Sequence, residues 1–330
     1  MSGGLTPWAP PDESMPPHLR GAALMSSYAK EAIASLLLAA RLPAGRLGML
    51  PSFLIVGAQR AGTSSLKRAL SQHPAVVAPI LYKEVHYFDL TYHRGVGWYR
   101  SRFPLQAREW LTGTARVAFE STPYYMFHPL APERIARDLP GVKLLVLVRD
   151  PTERAYSEHA HEVFLRYETE PFERALELEE TRLEGEAKRI VTEPGYASFS
   201  HQHHAYRARG QYAEQLERLE QIFGPERIHV VDSEEFFRTP EPVYDAVLEF
   251  LGLPHRGYPP FKTYNARSRS PMPGTVRAAL EEHYRPYDER LAKWLGHDPS
   301  WRLRPDELRR RAPCTRSAPS RGDATRGSEP

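Results

Sequence analysis

From about residue 50 to residue 230, short apolar runs alternate with stretches of helical periodicity. Phe53-Leu54-Ile55-Val56, bounded by Pro51 and Gly57, is the kind of continuous apolar run that a strand covered on both faces produces. Val117-Ala118-Phe119 is a weaker run, Lys143-Leu144-Leu145-Val146-Leu147-Val148 the strongest, and Arg227-Ile228-His229-Val230-Val231 a fourth. The strands over 117–119 and 143–148 are expected to be central. Leu66 and Leu70 lie four residues apart before a stop at His73-Pro74, and Leu216, Leu219 and Phe223 mark a helix ahead of the fourth strand. Strands separated by helices predict an α/β fold, a parallel sheet flanked by helices in a single domain.

The flanks read differently. Residues 1–45 form a Pro-rich leader followed by an Ala/Leu-rich helix over Ala22–Leu38, which Lys30 and Glu31 interrupt well short of a membrane span. That helix is expected to dock on the protein, with weak contact to a membrane surface as the other reading. Residues 46–301 are expected to form the main folded domain, closed by a helix over Thr275–Leu295 and anchored by Trp301, and residues 302–330 a basic, solvated tail. Within the domain, an acidic helical stretch between Glu168 and Glu193 shows Phe172, Leu176, Leu183, Ala187 and Ile190 on one face; it reads as a solvated amphipathic helix or a lid.

Charge narrows the partners. The chain holds 44 Lys and Arg against 41 Asp and Glu, but the segment from Trp301 to Pro330 contributes eight Arg against four acids. What is left, 36 basic and 37 acidic residues, lacks the basic field that a nucleic-acid partner requires. The single cysteine, Cys314, excludes an intrachain disulfide and suggests a reducing, cytoplasmic setting. His201-Gln202-His203-His204 lacks the Cys or carboxylate spacing of a metal site and is expected as a surface loop.

Two segments carry candidate chemistry. Gly57-Ala58-Gln59-Arg60-Ala61-Gly62-Thr63-Ser64-Ser65 joins the first strand to a helix, so that backbone N–H groups at the helix start form an anion cradle. The Gly57–Gly62 spacing makes the sheet P-loop-like, yet Thr63 stands where a nucleoside-triphosphate enzyme needs Lys, and the available cation is Arg60. The second segment, Arg149-Asp150-Pro151-Thr152-Glu153, follows the strongest strand: Asp150 caps a helix, Pro151 fits its first position, and Glu153 completes a capping-box pattern. Arg149 is then held at a strand's carboxyl end, where open α/β sheets bind ligands, and Ser157 lies two turns into the helix. A guanidinium fork and a hydroxyl suit a ribose phosphate.

Together, GAQRAGTSSL and LLVLVRDPTERAYSEH resemble the two donor-binding motifs of the sulfotransferase family, in the branch that contains heparan sulfate sulfotransferases and their bacterial relatives. The resemblance continues through KEVHYFD at Lys83–Asp89, Gly97-Trp98-Tyr99, FESTPYY at Phe119–Tyr125, Gly210-Gln211-Tyr212 and His283–Tyr287. It implies the donor 3'-phosphoadenosine-5'-phosphosulfate (PAPS), with PAP as product and no metal. Arg60, Ala61, Gly62, Thr63, Ser64 and Ser65 would hold the 5'-phosphosulfate, and Arg149 with Ser157 the 3'-phosphate. Tyr212 and Phe261 are candidate neighbours of the nucleoside, and Arg267 or Arg269 of a phosphate.

Transfer to a hydroxylated acceptor needs a base. If KEVHYFD is extended, Glu84 and His86 share one face and Lys83 and Tyr87 the other. The resemblance implies that Glu84 is the base and that His86 assists. Two departures stand out: Arg60 replaces the family's first-loop Lys, and Ser121 replaces the Lys that heparan-type relatives carry in their FEKTP-like motif. A nucleoside-triphosphate enzyme and a catalytically silent nucleotide-binding scaffold are the alternatives; acceptor identity and oligomeric state are not encoded in any motif.

Overall fold

The computed structural model describes residues 47–80, 84–106, 116–264, 270–304 and 306–307. The leader helix, Lys83, Arg267, Arg269 and Cys314 lie outside them. All four expected strands form, together with a two-residue strand too short to leave a pattern: β1 (Pro51–Gly57), β2 (Val76–Val77), β3 (Val117–Ser121), β4 (Lys143–Val148) and β5 (Ile228–Asp232). Their order across the sheet is β2-β3-β1-β4-β5, and every neighbouring pair is parallel. Of β1 only Ser52 is exposed, and β4 is buried throughout after Lys143, because crossover helices cover both faces of a parallel sheet.

Those connections are helical. α1 (Thr63–Leu70) follows β1, α2 (Gly95–Arg100) precedes β3, and α3 (Ala131–Asp138) leads into β4. Between β4 and β5 run α4 (Pro151–Phe164), α5 (Phe172–Leu183), α6 (Glu186–Thr192), α7 (Phe199–His203) and α8 (Tyr212–Phe223). After β5 come α9 (Ser233–Arg238), α10 (Pro240–Leu251) and α11 (Gly274–Leu295). From β1 the chain builds outward to β2 and β3 on one side, then crosses to β4 and β5 on the other. The carboxyl ends of β1 and β4 therefore flank the switch point where a ligand crevice opens.

Three expectations need correction. The acidic stretch is two helices, because Gly185 takes a left-handed φ of 73° and resets the buried face; Ala187 ends up exposed. His201–His204 is not a surface loop: it forms most of α7, with His201 and His204 buried. Glu84–Asp89 is not extended, since it lies in no strand and His86 has a φ of 52°. Asp150 does cap α4, accepting from the N–H groups of Thr152 (2.9 Å) and Glu153 (3.4 Å), while the Glu153 carboxylate reaches Arg277 of α11.

A buried aromatic cluster supports the Glu84–Asp89 segment. Glu120 on β3 is fully buried, and one of its oxygens accepts from both Tyr99 and Tyr125 hydroxyls at 2.9 Å. The Tyr125 oxygen in turn accepts from the Tyr87 N–H (2.9 Å), and Tyr87 stacks on Tyr99 with centroids 4.5 Å apart. The second Glu120 oxygen has no hydrogen-bond partner among the described residues, and burial pushes this carboxyl from 4.5 up to about 7.

Two outcomes follow. The folded state holds the Glu120 proton more tightly than the unfolded chain, so ionisation is a stability cost that is absent below pH 4.5, grows towards pH 7 and is complete above it. Glu120→Gln should therefore stabilise the protein against urea by about 3 kcal/mol at pH 8, with the difference closing as pH falls towards 4.5; a pH-independent difference would refute this. Gly62 has a φ of 89°, and a Cβ there would lie 3.0 Å from the Phe237 ring. Gly62→Ala should cost about 1–3 kcal/mol, measured by thermal unfolding.

Candidate active site

The turn after β1 places Arg60 in the left-handed region, φ 68°, an unusual conformation for a side-chain-bearing residue. Its side chain is thereby aimed at α4, where Nε donates to the Ser157 hydroxyl at 3.1 Å. Arg149, at the end of β4, donates from Nη1 to the Arg60 carbonyl at 3.4 Å. Residues from two strand ends and a helix, predicted separately, thus meet at one point beside the α1 N-terminus. The arrangement leaves Arg60 and Arg149 on the same side of the sheet.

The remaining turn residues divide by burial. Ala61 is fully buried, so it offers the site only backbone. Thr63 and Ser65 are also buried, and the Ser65 hydroxyl accepts from the Tyr264 N–H at 3.2 Å, tying the segment before Asn265 to the start of α1. Ser64 is half-buried. The first turn of α1 carries no acidic side chain, which leaves the positive end of its dipole uncompensated locally.

Arg149 also faces Glu234 of α9, Nε to Oε1 3.8 Å. Burial and the adjacent Asp232 push the Glu234 carboxyl up, against the pull of the Arg149 guanidinium. Tyr212, a candidate nucleoside neighbour, is buried in the core with its ring edge-on to Trp301. Phe261 packs against Phe236 and Tyr244.

Glu84 and His86 do meet, through a bent backbone in place of strand alternation. His86 Nε2 lies 3.3 Å from a Glu84 oxygen, and His86 Nδ1 donates to Asp89 Oδ2 at 2.7 Å. Burial alone would lower the imidazole pKa, but Asp89 and Glu84 together overcome it and hold His86 well above its usual value. The imidazolium bridges the two carboxylates and orients Glu84, whose side chain is 23% exposed and so open to a substrate. Ser121 is buried at the end of β3, paired in register with Ile55.

Several residues of this site were not anticipated. Asp89 sits three positions after His86 in the same segment, a spacing that was visible as a possible orienting carboxylate. A buried ionic network was not visible: Glu158 of α4 binds both Arg154 and Arg209, and Arg209 also binds Gln59 of the β1 turn, 150 positions away. Beyond it, the Glu162 carboxyl and His203 Nδ1 are hydrogen-bonded at 2.9 Å, and the Tyr124 hydroxyl pairs with His201 Nδ1 at 2.7 Å. Among the described residues, no group of three or more His, Cys, Asp or Glu is arranged to hold a metal ion, and no helix is long and apolar enough to cross a membrane.

Comparison with known proteins agrees with this geometry. Residues 50–264 match the family model described as the sulfotransferase domain. The chain is similar to human heparan sulfate glucosamine 3-O-sulfotransferase 5, 32% identical over 209 residues, covering 63% of this chain and 55% of the relative. It is also similar to human bifunctional heparan sulfate N-deacetylase/N-sulfotransferase 3, 28% identical over 280 residues, covering 74% of this chain and 30% of the relative. The chain thus spans about half and about a third, respectively, of the length of these two relatives. Among solved structures, the sulfotransferase from Alicyclobacillus acidocaldarius superposes with a TM-score of 0.58 at 31% identity, over 77% of this chain and 100% of that one. With the family model spanning 215 of 330 residues and both motifs joined at the Arg60 carbonyl, the chain belongs to the sulfotransferase family.

Proposed function

We propose that this protein transfers a sulfuryl group from PAPS to a hydroxyl of its acceptor by in-line displacement, with Glu84 as base. The observation that supports the reading best is the meeting of Arg149, Arg60 and Ser157: two guanidinium groups and a hydroxyl beside a helix N-terminus suit a nucleotide with anionic groups at both ends of its ribose. A triphosphate is a poorer match, because Thr63 occupies the place of the Lys that bridges β- and γ-phosphates.

In this reaction the acceptor oxygen forms a bond to sulfur as the bond from sulfur to the 5'-phosphate oxygen breaks. The acceptor proton passes to the Glu84 carboxylate, which His86 holds in place from the side opposite Asp89. Negative charge develops on the departing phosphate oxygen, and Arg60 with the α1 amides stabilises it; Arg60 acts by charge, since a guanidinium is a poor proton donor. Arg149 and Ser157 hold the 3'-phosphate end. A cytoplasmic setting belongs to the same reading, on the strength of the single cysteine.

The direct test is a labelled-PAPS transfer screen against glycans, lipids and small hydroxylated metabolites, with PAP and ATP binding compared by calorimetry. Turnover with PAPS and preference for PAP over ATP is the expected outcome; ATP preference would favour a nucleoside-triphosphate enzyme, and PAP binding without any transfer a silent scaffold. Glu84→Gln should lower kcat by about 10²–10⁴-fold while PAP affinity stays within about twofold of wild type. Arg149→Ala should weaken PAP about 10–100-fold, and unchanged PAP affinity would remove Arg149 from the donor site.

A further inference from the structure

The loop that follows β3 touches both halves of the candidate site. On one side its backbone continues alongside β1: the Thr122 N–H donates to the Ile55 carbonyl at 3.1 Å and the Met126 N–H to the Val56 carbonyl at 2.9 Å. Ile55 and Val56 are the last two residues before Gly57, where the phosphate-binding turn begins. The loop is seated hard against that turn, since a Cβ built on Gly57 would lie 2.7 Å from the Met126 Cβ, closer than two such carbons approach. Residues 122–126 are buried throughout, so this contact is part of the core.

Side chains of the same loop hold the other half. Thr122 Oγ1 accepts from the Val85 N–H at 3.2 Å, and that N–H belongs to the peptide group joining Val85 to Glu84. The Tyr125 hydroxyl oxygen accepts from the Tyr87 N–H at 2.9 Å and the Phe88 N–H at 3.4 Å, while its own proton goes to Glu120 at 2.9 Å. His86 lies between these residues, and its carbonyl accepts from the Thr91 hydroxyl at 2.8 Å and the Thr91 N–H at 3.0 Å. Val85–Phe88 lies in no helix or strand, so no ladder of backbone hydrogen bonds holds it. Two hydroxyl groups from the β3 loop take over that task. Both Thr122 and Tyr125 are fully buried, so they act on the site through the backbone they hold and not by touching a substrate.

We infer that Thr122 and Tyr125 are positioning residues for sulfuryl transfer: one short loop, bonded on one side to the strand that delivers the Gly57–Gly62 turn and on the other to the backbone around Glu84, sets the separation between base and donor. This inference rests on the reading above in which Glu84 is the base. Rate depends steeply on the geometry of the reacting groups, so a small displacement of Glu84 slows the transfer step. Donor affinity rests on Arg60, Arg149 and Ser157, whose contacts with one another pass through neither hydroxyl.

Three substitutions in the full chain test it. Thr122→Val keeps the shape and removes the hydroxyl, Thr122→Ser keeps the hydroxyl and removes a methyl group, and Tyr125→Phe removes the second hydroxyl. Turnover is read as PAP release from labelled PAPS with the fastest acceptor of the transfer screen, PAP affinity by calorimetry, and folding by thermal unfolding, with all kinetics run well below the lowest unfolding midpoint. Thr122→Val and Tyr125→Phe should each lower kcat about 10–100-fold while PAP affinity stays within about twofold of wild type. Thr122→Ser, although it opens a methyl-sized cavity, should keep kcat within about threefold. In a Glu84→Gln background, Thr122→Val should cost less than about twofold more, because the base that it positions is already gone. Unchanged kcat in both hydroxyl-removing variants, a Thr122→Ser as slow as Thr122→Val, or a loss that multiplies with Glu84→Gln would each overturn the positioning role and leave the base assignment standing. If Thr122→Val does not fold, Tyr125→Phe alone and in the Glu84→Gln background decides the matter. If Glu84→Gln itself leaves kcat unchanged, or no acceptor turns over, the base reading falls and this inference with it.

Discussion

The meeting of the two loops at the candidate site depends on the carbonyl and side chain of Arg60. The turn after β1 forces this residue into a left-handed conformation, which presents its carbonyl to Arg149 at the tip of β4 and its guanidinium to Ser157 on α4. Three elements are thereby set against one another at the switch point of the sheet, and Gly62, also left-handed, lets the chain enter α1 immediately afterwards. A conformation of this kind costs of order 1–3 kcal/mol and persists only where its surroundings over-determine it. Here the surroundings are the parallel register of β1 with β4 and the packing of α4 above them.

Around that point the protein accepts buried charge for the sake of position. Glu120 is kept inside the core with one oxygen unsatisfied, and its hydrogen-bonded tyrosines carry the Glu84–Asp89 segment. Glu158 joins Arg154 and Arg209, and through Gln59 fixes the turn that holds Arg60. Buried ion pairs contribute little net stability, because desolvation consumes most of their Coulomb energy. What they supply here is a defined geometry, and His86 shows the same principle at the site itself, where two carboxylates keep an otherwise unfavourable buried imidazolium charged and in line with Glu84.

Much of this was legible along the chain. Continuous apolar runs mark β1, β3, β4 and β5, since a strand buried on both faces needs nothing else, and the glycine turn and the Asp150-Pro151 cap mark the two loops that carry the proposed donor site. The misreadings have physical causes. Two residues of β2 are too few for a pattern; Gly185 broke a helical stretch that periodicity alone would have continued; and His86 abandoned strand alternation because its ring is held from both sides by carboxylates.

The sequence by itself determined the fold class, the order of its elements and the two loops that meet at the candidate site, because each is written in a local pattern of burial or backbone conformation; Glu84 as candidate base came from the family resemblance. Only the tertiary structure decided that Arg60 touches Ser157, 97 positions on, that Arg209 secures Gln59, and that Glu162 pairs with His203. Contacts of that range depend on how helices seat on the sheet, and the protonation of a buried group depends on everything packed around it, neither of which a linear pattern records.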